Sequence, residues 1–185
     1  MALESRREFA LKQKYWSIRD KNMIFDAEGT EIGYFIRKLF ALRATYFIKD
    51  ASDATALVIQ QKIRSWNPAF KFYRSASKED KEAVNEEEYL GILKKKVWSV
   101  RQRYWFENMD GERLFDIVGN IWALQFQVMK GDKTITMISR KLWAIADNYG
   151  VQIDPDVPDA EALLILGSIV VLHYIRLAAS QSSSG

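Results

Sequence analysis

Hydrophobic and polar positions divide the chain into a long region that alternates with a two-residue period and a short one that does not alternate at all. Leu124, Phe126 and Val128 are interleaved with Gln125 and Gln127, the spacing of a strand with one face buried. Ile135 and Met137 alternate with Thr134 and Thr136 less cleanly, because Ile138 interrupts the pattern. Residues 45–48 and 57–59 are short, apolar and rich in β-formers. Glu28-Gly29 and Asp110-Gly111 separate apolar runs as hairpin turns do, and Lys49-Asp50 and Gly131-Asp132 repeat the signal further on. Before Pro158 no segment keeps a helical period, apart from a turn in the charged stretch 78–88. Residues 162–175 are apolar on every side, broken by Gly167, Ser168 and His173. Asp156 or Val157 can cap this helix, Pro158 suits its first turn, and Asp159 and Glu161 complement its dipole. A helix that is apolar all round is buried in protein or in lipid. The run is short of the roughly 20 residues a membrane span needs, so it reads as a core helix.

The alternating region is written twice. Lys14-Tyr15-Trp16-Ser17-Ile18-Arg19 returns as Lys96-Val97-Trp98-Ser99-Val100-Arg101, 82 positions on. The same interval carries Gly29 onto Gly111, Ile32 onto Leu114 and Phe40-Ala41-Leu42 onto Trp122-Ala123-Leu124. Beyond residue 42 the interval drops to 79, where Gln61-Lys62 meets Arg140-Lys141. Separate clusters at a shared interval mark an internal duplication. The expected organisation is one domain over 8–176: repeat one over 8–75, a charged linker over 76–93, repeat two over 94–150 and a central helix over 158–176. A flexible tail over 177–185 follows. Two copies of about six strands make about twelve, and a sheet that large avoids exposed edges by closing into a barrel. Such a barrel is too wide for its wall side chains to fill. The stretch 162–175 has the all-round apolar surface to occupy the centre. The fold class expected is therefore mainly β: a closed antiparallel barrel of about twelve strands, built from two repeats and enclosing a hydrophobic C-terminal α-helix.

Composition narrows the chemistry. With 185 residues, 48% hydrophobic and 28% charged, the chain suits one globular domain with a sizeable core. The absence of cysteine excludes disulfides, thiolate zinc sites and cysteine nucleophiles. Lys and Arg number 27 against 24 Asp and Glu, a net charge of +3 that permits an anionic partner without demanding one. Residues 1–10 carry charges where a secretory signal needs an apolar core, so a cytoplasmic location, at most peripheral to a membrane, is expected.

The Lys-x-Trp-Ser and Asp-x-x-Gly signals of repeat one (Lys14 to Ser17, Asp26 to Gly29) and the Gly119-Asn120-Ile121-Trp122 step stand in a fixed order. They are followed by Ala146-Asp147-Asn148-Tyr149-Gly150-Val151, which leads into the terminal apolar helix. In these features the chain resembles the tubby C-terminal-like superfamily over residues 8–176. It looks closest to the LURP-one-related branch and similar to the phospholipid scramblases. The resemblance implies a twelve-stranded barrel around a central helix. It also implies the properties of those families: tubby domains bind phosphoinositide head groups, scramblases act on membranes with calcium, and LURP-one-related proteins mostly lack assigned chemistry.

Two candidate sites follow. Asp147, Asp154, Asp156 and Asp159 correspond to the segment where scramblases are thought to bind calcium, which makes calcium the one candidate cofactor. Their spacing is not that of an EF-hand loop, and helix capping explains Asp156 and Asp159 equally well. Lys94, Lys95, Lys96, Arg101 and Arg103 form a basic run of the kind that draws anionic lipid, at about 1 kcal/mol per residue; Lys12, Lys14 and Arg19 echo it in repeat one. The bland reading is a solvated strand face beside an acidic linker. His173, the one histidine, reads as a core residue, and the glycines are dispersed at turns rather than gathered in a phosphate loop, so no enzyme is expected. No stacking motif accompanies the basic run, which argues against nucleic acid. The functional expectation is a non-enzymatic domain binding an anionic phospholipid of phosphoinositide type, or a protein partner, on its outer surface. The alternatives are a scramblase-like membrane protein with calcium dependence and an interaction scaffold without ligand. Oligomeric state is left open.

Overall fold

The structure, a computed structural model, describes residues 3–13, 21–40, 43–62, 68–74, 85–96, 102–120, 123, 125–139 and 148–182. Repeat one supplies β1 (Glu8–Gln13), β2 (Asn22–Asp26), β3 (Glu31–Phe40), β4 (Arg43–Asp50), β5 (Thr55–Gln61) and β6 (Ala69–Arg74). Repeat two supplies β7 (Tyr89–Lys95), β8 (Arg103–Asn108), β9 (Arg113–Asn120), β10 (Gln125–Lys130), β11 (Lys133–Ser139) and β12 (Asn148–Ile153). Each strand pairs antiparallel with the next, and β12 pairs with β1, closing a twelve-stranded barrel. One long helix, α1 (Asp159–Ser182), follows.

The duplication is visible in hydrogen bonds. In the β2–β3 turn, Asp26 N donates to Thr30 O at 2.9 Å and Gly29 N to Asp26 O at 3.1 Å. In the β8–β9 turn, Asn108 N donates to Glu112 O at 2.9 Å and Gly111 N to Asn108 O at 3.1 Å. Gly29 and Gly111 have φ of +83° and +82°, the left-handed conformation that side chains disfavour. The following bulge also recurs, between Ile24 and Phe25 and between Phe106 and Glu107. A second recurrent bulge lies between Ile48 and Lys49 and between Val128 and Met129. That bulge explains the broken alternation in β11, where Val128 faces Thr136, Met129 faces Thr134, and Ile135 is the extra residue.

Pairing also corrects the repeat interval. Lys38 faces Thr45 as Asn120 faces Gln125, so β4 and β10 differ by 80 positions rather than 82. Gln60 faces Thr45 as Ser139 faces Gln125, giving 79 for β5 and β11. The slip of three is thus taken in two steps, one in each connection flanking β4. The motif Lys14 to Arg19, its copy 97–101 and the segment 121–122 lie outside the described residues.

Three boundaries differ from expectation. β7 starts at Tyr89, inside the expected linker 76–93, because repeat two needs a strand matching β1; Leu11 and Leu93 hold the same place against β2 and β8. β12 runs to Ile153 rather than stopping at residue 150. The helix begins at Asp159 and continues to Ser182, so residues 177–182 are helical, not a flexible tail. Leu177 packs against the core there, and Leu and Ala are good helix formers.

The helix is buried from Glu161 to Tyr174, with wall residues from both repeats around it. Its three interruptions each have a physical reason. A Cβ on Gly167 would meet Leu57 Cδ2 at 2.5 Å and Phe72 Cε1 at 2.7 Å, so glycine lets the helix approach β5 and β6. Ser168 Oγ donates to Leu164 O at 2.8 Å, which satisfies a fully buried hydroxyl. His173 Nδ1 lies 3.1 Å from Tyr149 Oη. Residues 159–179 are long and apolar enough to cross a membrane, but most of that stretch is buried inside the barrel.

Candidate functional site

Strand geometry divides the expected basic run. Successive residues of β7 point to opposite faces, so Lys94 lies outside while Lys95 lies over the inward ring of Tyr104, 6.0 Å from its centroid. Lys94 Nζ pairs with Glu107 Oε2, and Trp105 Nε1 donates to the same carboxylate at 2.6 Å. Burial tends to raise the Glu107 pKa, but these hydrogen bonds and the charges of Lys94 and Arg113 outweigh it and hold the carboxyl below its usual range. Lys96 and Arg103 are exposed, and the Lys96 N–H donates to Arg103 O at 2.9 Å. Arg101 lies outside the described residues.

The acidic set is equally dispersed. Asp154 Oδ2 lies 2.7 Å from Lys133 Nζ, and its Oδ1 accepts the Asp156 N–H at 2.9 Å. These bonds hold the Asp154 pKa below the usual range. Asp159 Oδ1 accepts from Arg7 Nη2 at 2.6 Å, and the same nitrogen donates to Val157 O at 2.7 Å, fastening the residue before β1 to the start of the helix. Asp156 is exposed, and Asp147 lies outside the described residues. Among the described residues no group of three or more metal-ligating side chains converges. His173 sits in the core with its pKa pushed down to about 4, by burial first and by the charge of Arg176 second. A ring kept neutral this way packs edge-on to Phe35, with centroids 5.6 Å apart.

A different face gathers more. Ile36, Phe47, Val58, Tyr73 and Tyr89 pair in succession across β3 to β7. They form an apolar cluster on the outside of the wall, separate from the core. Beside it runs a second cross-strand row: Lys38, Thr45, Gln60 and Lys71. Lys38 Nζ lies 5.7 Å from the Phe47 ring centroid and Lys71 Nζ 5.4 Å from that of Tyr89, so cations and aromatics interleave. At the edge of these rows opens a groove of about 500 Å³ lined by Arg43, Gln60, Gln61, Lys62, Lys71, Tyr73 and Glu86. Arg43 Nη1 donates to Gln60 Oε1 at 3.0 Å, which fixes the guanidinium against β5. Lys71 Nζ lies 3.5 Å from Glu86 Oε2, and Tyr73 Oη donates to Glu86 Oε1 at 3.1 Å. Burial, then the adjacent Glu86 charge, pushes the Tyr73 phenol above its ordinary pKa, so it stays a hydrogen-bond donor. Three cations, two amides and a phenol can bind an anion. They present no paired nucleophile and base.

Among the described residues the matching face of repeat two lacks these features. Its rows read Val118, Gln127, Met137, Gln152 and Asn120, Gln125, Ser139, Gly150. Arg43, Lys71 and Tyr73 correspond there to Ala123, Gly150 and Gln152. The sequence reading missed the groove because its cations come from separate segments that pairing alone brings together. The available signal was Lys71 set between Phe70 and Phe72, an outward charge between two inward rings.

Known proteins share this architecture. The Bacillus subtilis (strain 168) protein YxjI is 24% identical over 168 residues, covering 90% of this chain and 94% of its own. An X-ray structure of an Arabidopsis thaliana protein superposes with a TM-score of 0.64 at 17% identity, covering 91% of this chain and 90% of that one; that likeness concerns the fold. The model of the LURP-one-related family matches residues 7–173, and with all twelve strands and the start of the helix to His173 inside that match, this chain belongs to the LURP-one-related family.

Proposed function

We propose that the barrel is a non-enzymatic binding module that takes a phosphate-bearing head group of phosphoinositide type in the groove on repeat one, as a cytoplasmic protein peripheral to a membrane. The observation that carries this reading is the convergence of Arg43, Lys62 and Lys71 beside the Tyr73 hydroxyl on one open face. Arg offers a planar fork of donors and Lys a mobile point charge, a combination suited to phosphate oxygens. An exposed anion site draws its ligand partly by long-range attraction, so binding should weaken with salt. The expected basic run at 94–103 is the poorer candidate, because Lys94 and Lys95 point to opposite faces and Glu107 holds Lys94 more closely than the exposed Glu86 holds Lys71.

Vesicle flotation tests the reading. Phosphatidylcholine vesicles doped with phosphatidylinositol bisphosphate should carry the protein up the gradient, and undoped vesicles should not. Arg43→Ala with Lys71→Ala should abolish the enrichment while Arg103→Ala leaves it intact. Equal flotation with both vesicle types, or enrichment that survives the double substitution, would overturn it.

A further inference from the structure

The groove already holds an anion of the chain's own. Glu86 opens the short 3-10 turn Glu86–Glu88, whose start is fixed by Asn85: the Asn85 side chain accepts the Glu87 N–H at 3.1 Å, and its carbonyl accepts the Glu88 N–H at 3.0 Å. The turn delivers one carboxylate to two donors, Lys71 Nζ and Tyr73 Oη. Those are the groups an incoming phosphate oxygen would use. The hold is weak. The Glu86 side chain is 68% exposed, and exposed ion pairs contribute roughly 0–1 kcal/mol. A phosphate monoester brings about −1.5 to −2 of charge and three acceptor oxygens, so it can displace a single carboxylate. On repeat two Gly150 and Gln152 stand in for Lys71 and Tyr73, and Gln152 Nε2 donates to Glu8 Oε1 at 2.9 Å without a counterpart of the Lys71 cation.

We propose that Glu86 is a built-in competitor for the groove: its carboxylate occupies the place of a ligand phosphate and must leave Lys71 and Tyr73 before a phosphorylated head group can bind. This rests on the groove reading above and adds its regulation. Any change that removes or draws away the Glu86 charge opens the groove.

Titration calorimetry with soluble inositol trisphosphate, and flotation with the doped vesicles, separate the free and the lipid-borne source of the phosphate. With either probe, Glu86→Gln should tighten binding about two- to fivefold, the equivalent of losing one exposed ion pair. Glu87→Gln makes the same charge change one residue along, outside the groove, and should leave affinity unchanged. In a Lys71→Ala background the Glu86→Gln gain should shrink, since Glu86 then competes only for Tyr73. Equal tightening by Glu86→Gln and Glu87→Gln would reduce the effect to general charge and overturn the competitor. So would binding that Lys71→Ala weakens but Glu86→Gln does not alter; in that case the groove survives and its gate does not. Binding indifferent to Arg43→Ala and Lys71→Ala, or no binding to either probe, would overturn both.

Discussion

The two repeats agree on the inside of the wall and part company on the outside. Ile59 and Ile138, Leu11 and Leu93, Tyr46 and Phe126, and Ile48 and Val128 are matched pairs, all buried against the helix. On the outer face Phe47 answers Gln127, Lys71 answers Gly150 and Tyr73 answers Gln152. A shared apolar rod constrains both interiors, since a change there leaves a void or a clash. The outer face does not meet the rod, and although Phe47, Val58 and Tyr73 are buried in a cluster of their own there, it is free to differ between copies. Where two copies of one hairpin plan differ in charge and aromaticity on a single face, that face is where binding is to be sought.

The comparison can be broken or sharpened by experiment. The largest effect is expected from Leu166→Asp, which places a carboxylate where both interiors meet. Burying it unpaired should cost several kcal/mol and prevent folding, seen as loss of soluble protein or of a cooperative melt. Next, Ile59→Ala and Ile138→Ala should each destabilise by about 2–5 kcal/mol in denaturant titration, and by similar amounts if the interiors are equivalent. A large disparity would show that one copy carries the fold. Acid should act through His173. Burial holds the ring's pKa at about 4 when folded, below the ordinary 6.5 of histidine, so the folded state binds fewer protons across that interval. Stability should be full above pH 6.5 and decline by about 3 kcal/mol as pH falls to 4; His173→Phe should remove that slope. Gly29→Val and Gly111→Val, at turns of matching φ with open space around them, should each cost about 1–2 kcal/mol. Smallest of all, Lys71→Ala should change stability by less than about 0.5 kcal/mol, the usual range for a surface site, while weakening the binding proposed for its face.

Most of the architecture was legible in the sequence because it depends on local chemistry. Gly29 and Gly111 mark turns by their own conformational freedom, and the stretch 162–175 declares its burial by having no polar side. The binding face was not legible, because its members are neighbours only through strand register. Arg43, Gln60, Lys71 and Glu86 come from four segments, and no local pattern links them. The basic run misled for the converse reason. Lys94 and Lys95 are adjacent in sequence, but a strand sends adjacent side chains to opposite sides of the wall. The interval of 82 held through β3 and then changed in two steps, which sequence matching merged into one.

The order of the parts along the chain has a consequence for biosynthesis. The wall closes only when β12 reaches β1, and the rod that fills it follows every strand. A nascent chain with all its strands but no rod would enclose an apolar hollow with nothing to exclude water from it. Emergence of the rod, rather than of either repeat, should therefore trigger cooperative folding, leaving the first repeat dependent on chaperones or its own partial pairing until then.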